Sequence, residues 1–201
     1  MSYNPKIAVG SVLYNQYPII IGSMITQEYQ NWEMHLLHDG PPTDEWRLRM
    51  FHALRSVIPD KRITDKYTKT QQGQWGHPLR RMWLDDMRDR KDIDLVVLTN
   101  ADNYHNPGFL QNLHKPFENP KVVATYSEYM SHNHNGYQTF KNGLGCSNID
   151  ISALMFRRDV ASDVGWPDFS YASDWNFINS IIKKYGIENF VQVPGNFVTH
   201  N

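Results

Sequence analysis

At 201 residues, 40% hydrophobic and 20% charged, the chain is long enough for one domain with a real core and too apolar for a disordered segment. Its formal net charge of −1 supplies no field for a polyanion, so no nucleic-acid partner is expected. The one cysteine, Cys146, excludes an intrachain disulfide framework and a thiolate zinc cluster, and no run approaches the roughly 20 apolar residues of a membrane span.

The opening MSYNPK has no apolar signal core, which with the lone cysteine suits a reducing, cytoplasmic setting. Apolar, β-prone runs then recur at Ile7 to Leu13, Glu33 to Leu37, Leu95 to Leu98, Val122 to Tyr126, Ala153 to Phe156 and Phe190 to Val193. Helical patterns lie between them. Pro18 opens one that reaches Tyr29, and Thr43 is placed to cap another through about Val57. His77 to Lys91 alternates apolar and charged faces at helical spacing. Asn106-Pro107 opens a further helix, and Ser173-Asp174 opens one that Gly186 stops. Strands alternating with helices predict an α/β domain with a mostly parallel sheet covered on both faces. Ligands of such sheets bind outside the carboxyl ends of the strands. The polar stretch Ser127 to Ile149 is too long for an ordinary connection and is expected to be a lid or substrate loop.

Each early run ends in small or polar residues: Ser11 to Gln16, then Asp39-Gly40, then Asn100-Ala101-Asp102-Asn103. Asp39 suits the ring N–H of a base, although an Asp–Gly pair is also an ordinary turn. In an extended stretch Asn100 and Asp102 would share one side, and hard oxygen ligands suit Mg²⁺ or Mn²⁺ beside phosphates. Asp174 is either a helix-start carboxylate or a general base. Arg80 and Arg81 form a solvated face or a phosphate contact. His132, His134 and His200 are ordinarily exposed histidines, and Arg157 and Arg158 are surface charges or diphosphate contacts, the surface reading being preferred.

Taken in order, these pieces resemble a family 2 glycosyltransferase of the GT-A fold. The stretch KIAVGSVLYNQYPIIIGSMITQEYQNWEMHLLHDGPPTDE is similar to that family's opening, LVVLTNADNYHNPGFL to its metal-motif segment, and SALMFRRDVASDVGWPDFSYASDWNFI to its later stretch. The compact form is also similar to the N-terminal domain of a multidomain chlorovirus glycosyltransferase, which would put it in host cytoplasm and make it a piece of a longer chain. The resemblance implies one GT-A domain over 1–201, with a nucleotide-binding half to about 105 and an acceptor-binding half after it. It implies that Val12, Tyr14, Asn15 and Asp39 hold the nucleoside. It assigns Asn100, Ala101 and Asp102 to the donor, with Arg80 or Arg81 beside it. A divalent metal would sit on Asp102 and His200, and Asp174 would be the base. Asn100, Ser173 and His38 stand where the family usually has acids.

The implied activity is inverting transfer from a nucleotide-diphosphate sugar, most simply UDP-linked, to a glycan hydroxyl, with Mn²⁺ or Mg²⁺ as cofactor. Two alternatives remain open. One is a noncatalytic nucleotide-sugar or glycan binder of the same fold. The other, a metal-dependent nucleotidyltransferase, lacks a Gly-rich triphosphate loop with a lysine.

Overall fold

The computed structural model describes residues 3–14, 19–41, 44–133, 136–141, 143–146 and 148–200. Asn15, Pro18, Thr43 and His134, singled out from the sequence, lie outside them.

The strands are β1 (Ile7–Leu13), β2 (Trp32–His38), β3 (Ile63–Tyr67), β4 (Leu95–Asn100), β5 (Tyr104–His105), β6 (Ala124–Asn133), β7 (Gly136–Phe140), β8 (Leu154–Arg157) and β9 (Phe190–His200). The helices are α1 (Ile19–Ile25), α2 (Glu45–Val57), α3 (His77–Asp89), α4 (Phe109–Leu113), α5 (Arg158–Val164) and α6 (Ser173–Tyr185). One sheet runs in the order β3-β2-β1-β4-β8-β6-β9-β5, with β7 added to β6.

Side-chain alternation along the strands makes two cores. Ile7, Val9, Leu95 and Val97 face α1 and α4 through Ile20, Met24, Phe109 and Leu113. Ala8, Val12, Val96 and Leu98 face the other layer, where α3, α5 and α6 contribute Trp83, Leu84, Val160, Phe177 and Ile181. A Cβ on Gly10 would lie 2.6 Å from the Trp83 ring, so glycine lets α3 settle on β1. The indole N–H of Trp83 then donates to His35 Nδ1 at 2.7 Å.

Strand direction decides which residues meet. β1, β2, β3 and β4 are mutually parallel, so their carboxyl ends share one rim. β8 runs antiparallel to β4 and β6 antiparallel to β8, which leaves β6 and its parallel neighbour β9 pointing toward the same rim. The start of β8 and the end of β9 therefore arrive beside the end of β4. Asp150 precedes β8 and His200 ends β9, so both reach that rim.

Some expectations need correction. The extended stretch ends at Asn100, and Ala101-Asp102 form a turn closed by Asn103 N donating to the Asn100 carbonyl at 3.2 Å, so the alternation argument does not carry to Asp102. Ser127 to Asn133 continue β6, and β7 pairs with them as a hairpin, so much of the expected loop is sheet. β3 and α5 were not foreseen. Arg157 donates to the carbonyls of Val122, Phe117 and Asn119, and Arg158 to that of Ile93, so both tie the chain together instead of standing in solvent.

Candidate active site

Asp39 follows β2, is buried, and begins a turn at Gly40 with φ 85°. Its two carboxylate oxygens accept backbone N–H groups of Gln72 at 2.6 Å and Gly73 at 2.9 Å. A strap, 68–76, is thereby pinned across the rim. A Cβ on Gly76 would lie 2.4 Å from Val12 Cγ1, so this residue must be glycine for the strap to press on the end of β1. Val12 is buried beneath it, and Tyr14 beyond it is exposed. The neighbouring Gln74 and Trp75 take φ 51° and 53°, a left-handed conformation uncommon outside glycine and strained.

From the strap the structure leads to Arg80, which α3 buries to 2% exposure. The guanidinium donates to the Trp75 carbonyl at 2.8 Å and to Asn100 Oδ1 at 2.5 Å. Burial draws its pKa down, opposed by the charges of Asp174 and Asp150. Arg81 points elsewhere. It donates to the carbonyls of Trp166 at 3.1 Å and Pro167 at 3.0 Å and lies over the Phe169 ring, so it braces the loop before α6 and is removed from the donor contacts. Ala101 is buried at the end of β4, its N–H donating to the Val12 carbonyl and its carbonyl accepting from Ile20 N, so its contribution is backbone position.

Asp102 follows β4 and His200 ends β9, near enough for the charge of each to act on the other. Burial raises the Asp102 pKa, and the charge of His200 opposes that rise. His200 Nδ1 lies 2.6 Å from Asp150 Oδ2, and this pairing holds the imidazole pKa above its ordinary value. Asp150 also accepts from the Ser152 N–H at 2.8 Å and from the Ser152 hydroxyl. Burial pushes the Asp150 pKa up, but His200 and Ser152 outweigh it and leave it lowered. Sequence reasoning passed over Asp150, which stands in the polar stretch before β8 with no motif around it. Its only sequence cue is Asp-x-Ser, a local cap pattern.

Asp174 lies in the first turn of α6, where the cap residue is Ala172 and no side chain caps the helix. It is therefore a first-turn carboxylate and not the N-cap, the second of the two helix-start roles the sequence left open. Oδ1 is buried and has no hydrogen-bond partner among the described residues, while the side chain as a whole is 31% exposed. Burial pushes its pKa up to about 6, against the lowering charge of Arg80. His77 Nδ1 stands 3.9 Å from Oδ1, and burial takes that imidazole down to about 4, so it is neutral near pH 7. Sequence reasoning missed His77 too, taking it only as the start of a helix. It stacks on Trp166 at 5.5 Å.

The rim thus joins Asn100, Asp102, Asp150, Asp174, His200 and Arg80 into one charged cluster, and the strap links Asp39 to it. Among the described residues no three His, Cys, Asp or Glu side chains converge tightly enough to enclose a metal ion. Among them, too, no helix is long and apolar enough to cross a membrane.

No protein-family model and no curated protein matches this sequence. Solved structures do. Residues 1–349 of S. aureus TarS share 16% identity over 98% of this chain and 60% of that one, with a TM-score of 0.72. The same protein in complex with UDP-GlcNAc matches at a TM-score of 0.72 and 15% identity, over 97% of this chain and 58% of that one. The mannosyltransferase PcManGT of Pyrobaculum calidifontis, in complex with GDP-Man and Mn²⁺, matches at 16% identity over 99% of this chain and 57% of that one, with a TM-score of 0.71. Glucosyl-3-phosphoglycerate synthase of Mycobacterium tuberculosis, in complex with Mn²⁺, UDP and glucosyl-3-phosphoglycerate, matches at 15% over 98% and 72%, with a TM-score of 0.62. The chain has the GT-A fold and spans about 60% of the length of the first of these.

Proposed function

We propose that the chain is an inverting glycosyltransferase of family 2 type, moving a sugar from a nucleotide-diphosphate donor, most simply UDP-linked, to a glycan hydroxyl. The observation that carries this reading is Asp174: a carboxylate oxygen buried at the sheet rim, capping nothing and bonded to nothing described, with a pKa raised to about 6. A structural carboxylate is satisfied by its partners. A general base keeps an oxygen for the proton it will take, and works best with a pKa near the operating pH. Asp174 removes the acceptor proton as the acceptor oxygen bonds to the anomeric carbon and the bond from that carbon to the diphosphate oxygen breaks.

Donor binding falls to the opposite end of the rim. Asp39 keeps lone pairs beyond the two strap bonds for a base N–H. The buried charge of Arg80, bonded to Asn100, favours a diphosphate nearby. A divalent cation would be held by Asp102 and by His200, whose Nδ1 faces Asp150 and leaves Nε2 available. Two protein ligands completed by phosphate oxygens suit Mg²⁺ or Mn²⁺ and need no closed protein cage. When bound, such an ion neutralises the departing diphosphate. The structures solved with Mn²⁺ and a nucleotide or nucleotide sugar support a divalent cation beside the donor in general.

The test is a panel of nucleotide sugars with Mn²⁺, scored for acceptor-independent release of the nucleotide, with Asp174→Asn compared in transfer assays. A second reading, binding without turnover, draws on Asn100: its amide oxygen is taken by Arg80 and is a poorer cation ligand than a carboxylate. Saturable UDP binding with no release from any donor would favour it.

A further inference from the structure

We propose that Trp75 and Tyr171 form an aromatic platform for a pyranose ring of the acceptor glycan. The proposal deepens the transferase reading and rests on it for the identity of the ligand. Trp75 is 65% exposed and Tyr171 84% exposed, yet their rings meet at 5.8 Å across two separate loops. Exposed large aromatics in mutual contact beside a buried carboxylate are a binding surface more than a packing residue.

Both loops are braced. Trp75 hangs from the strap that Asp39 and Arg80 fasten, with its backbone at φ 53°. Holding a tryptophan in that strained conformation is costly, and a ring left 65% exposed returns little of the cost by burial. Tyr171 follows Asp168, whose carboxylate accepts from Ser170 N and Asn176 Nδ2, both at 2.8 Å. The rings are thus displayed on rigid supports, which limits the ordering cost of binding.

Position selects the occupant. From Tyr171 and Trp75 the next ring is His77, 6.1 Å from Trp75, and His77 Nδ1 is 3.9 Å from Asp174 Oδ1. A hydroxyl delivered to Asp174 belongs to a molecule whose remainder extends along this path. The donor residues Asp39 and Val12 meet the same strap at the backbone of Gly73 and Gly76. The two rings stand at 78° to each other, so the C–H face of one pyranose stacks on the indole while the phenol closes one side, and their N–H and O–H edges meet its hydroxyls.

The test uses a panel of methyl glycopyranosides as probes, in saturation-transfer NMR and as acceptors in transfer assays. A panel member should receive saturation on its ring C–H protons from the wild-type protein. Trp75→Ala should abolish that transfer and raise the acceptor KM about tenfold, the equivalent of one aromatic contact, while Trp75→Phe restores most of it. Tyr171→Ala should act in the same direction. UDP affinity, measured by calorimetry, should move less than twofold. Saturation unchanged in Trp75→Ala, or absent from every probe with the wild-type protein, would overturn the platform. So would a loss of UDP affinity as large as the loss for the glycoside. A wild-type chain that releases no nucleotide from any donor, but keeps Trp75-dependent saturation, would sink the transferase reading and leave the platform in place.

Discussion

Replacing Asp174 with Asn should stabilise the fold while it abolishes transfer. Burial holds the native carboxyl at about 6 in place of its ordinary 3.8. At about 1.36 kcal/mol for each pKa unit, ionising it at neutral pH costs the folded state about 3 kcal/mol. The side chain is 31% exposed, and solvent screening reduces the figure to about 1–2 kcal/mol. The sign follows from proton binding. Between 3.8 and about 6 the native state holds a proton that the unfolded chain has released, so stability falls as pH rises through that window. Above it the cost is complete, and below it the cost vanishes. Asparagine has nearly the same shape and no charge at any of these pH values.

Thermal melts of both proteins at about pH 7.5 and about pH 4 measure the difference. For a chain of this size each kcal/mol moves Tm by about 2–4 °C, so the variant should melt about 3–6 °C higher at the upper pH. The two curves should converge at the lower pH. A variant that melts at or below the wild type at the upper pH, or a gap of equal size at both, would refute the claim that a desolvated charge sits at this position. The wild-type pH–rate profile should rise through about 6 as Asp174 loses its proton.

Asp102→Ala should weaken Mn²⁺-dependent UDP binding in a calorimetric titration and leave metal-free binding little changed; superimposable curves with Mn²⁺ would remove it as a ligand. Arg81→Ala loses two bonds to the Trp166 and Pro167 carbonyls, which should cost about 1–2 kcal/mol in denaturant unfolding. UDP affinity should persist, and its loss would return Arg81 to the donor site. Gly10→Ala places a Cβ 2.6 Å from the Trp83 ring, and overpacking of that kind costs about 1–3 kcal/mol, so a wild-type melting temperature would contradict the close approach of α3 to β1.

What was legible in the sequence divides by range. Strands buried on both faces announce themselves as apolar runs, and β1, β2, β4 and β8 lie where those runs predict. β3 was missed because ITDKY has one buried residue and borrows its pairing from β2. β6 and β9 were predicted too short, because in their outer halves polar residues interrupt the buried Tyr129 and Val198, and the pairing of the two strands carries the ladder on. The site shows the same division. Asp39, Asp102 and Asp174 sit next to local landmarks, a turn, a strand end and a helix start, and could be singled out from the sequence. Asp150 and His77 act only through partners far along the chain, His200 and Asp174, and no spacing in the sequence reports such pairs. The Arg80–Arg81 pair shows the limit most plainly. The residues are adjacent on one helix, yet successive helical positions point in different directions, so one faces the cluster and the other the loop before α6.

Asn100 bears on how the cluster is tuned. Its amide oxygen accepts from Arg80 at 2.5 Å without neutralising it. A carboxylate at that position would absorb much of the guanidinium charge in an ion pair. With an amide there, the charge acts on Asp174 and Asp150 instead, and it opposes the burial that pushes Asp174 up. An Asp174 without that opposition would hold its proton to still higher pH. The amide at position 100 therefore leaves the arginine free to keep the buried carboxylate ionisable. The residue at position 100 thus decides how the charge of a single guanidinium is shared.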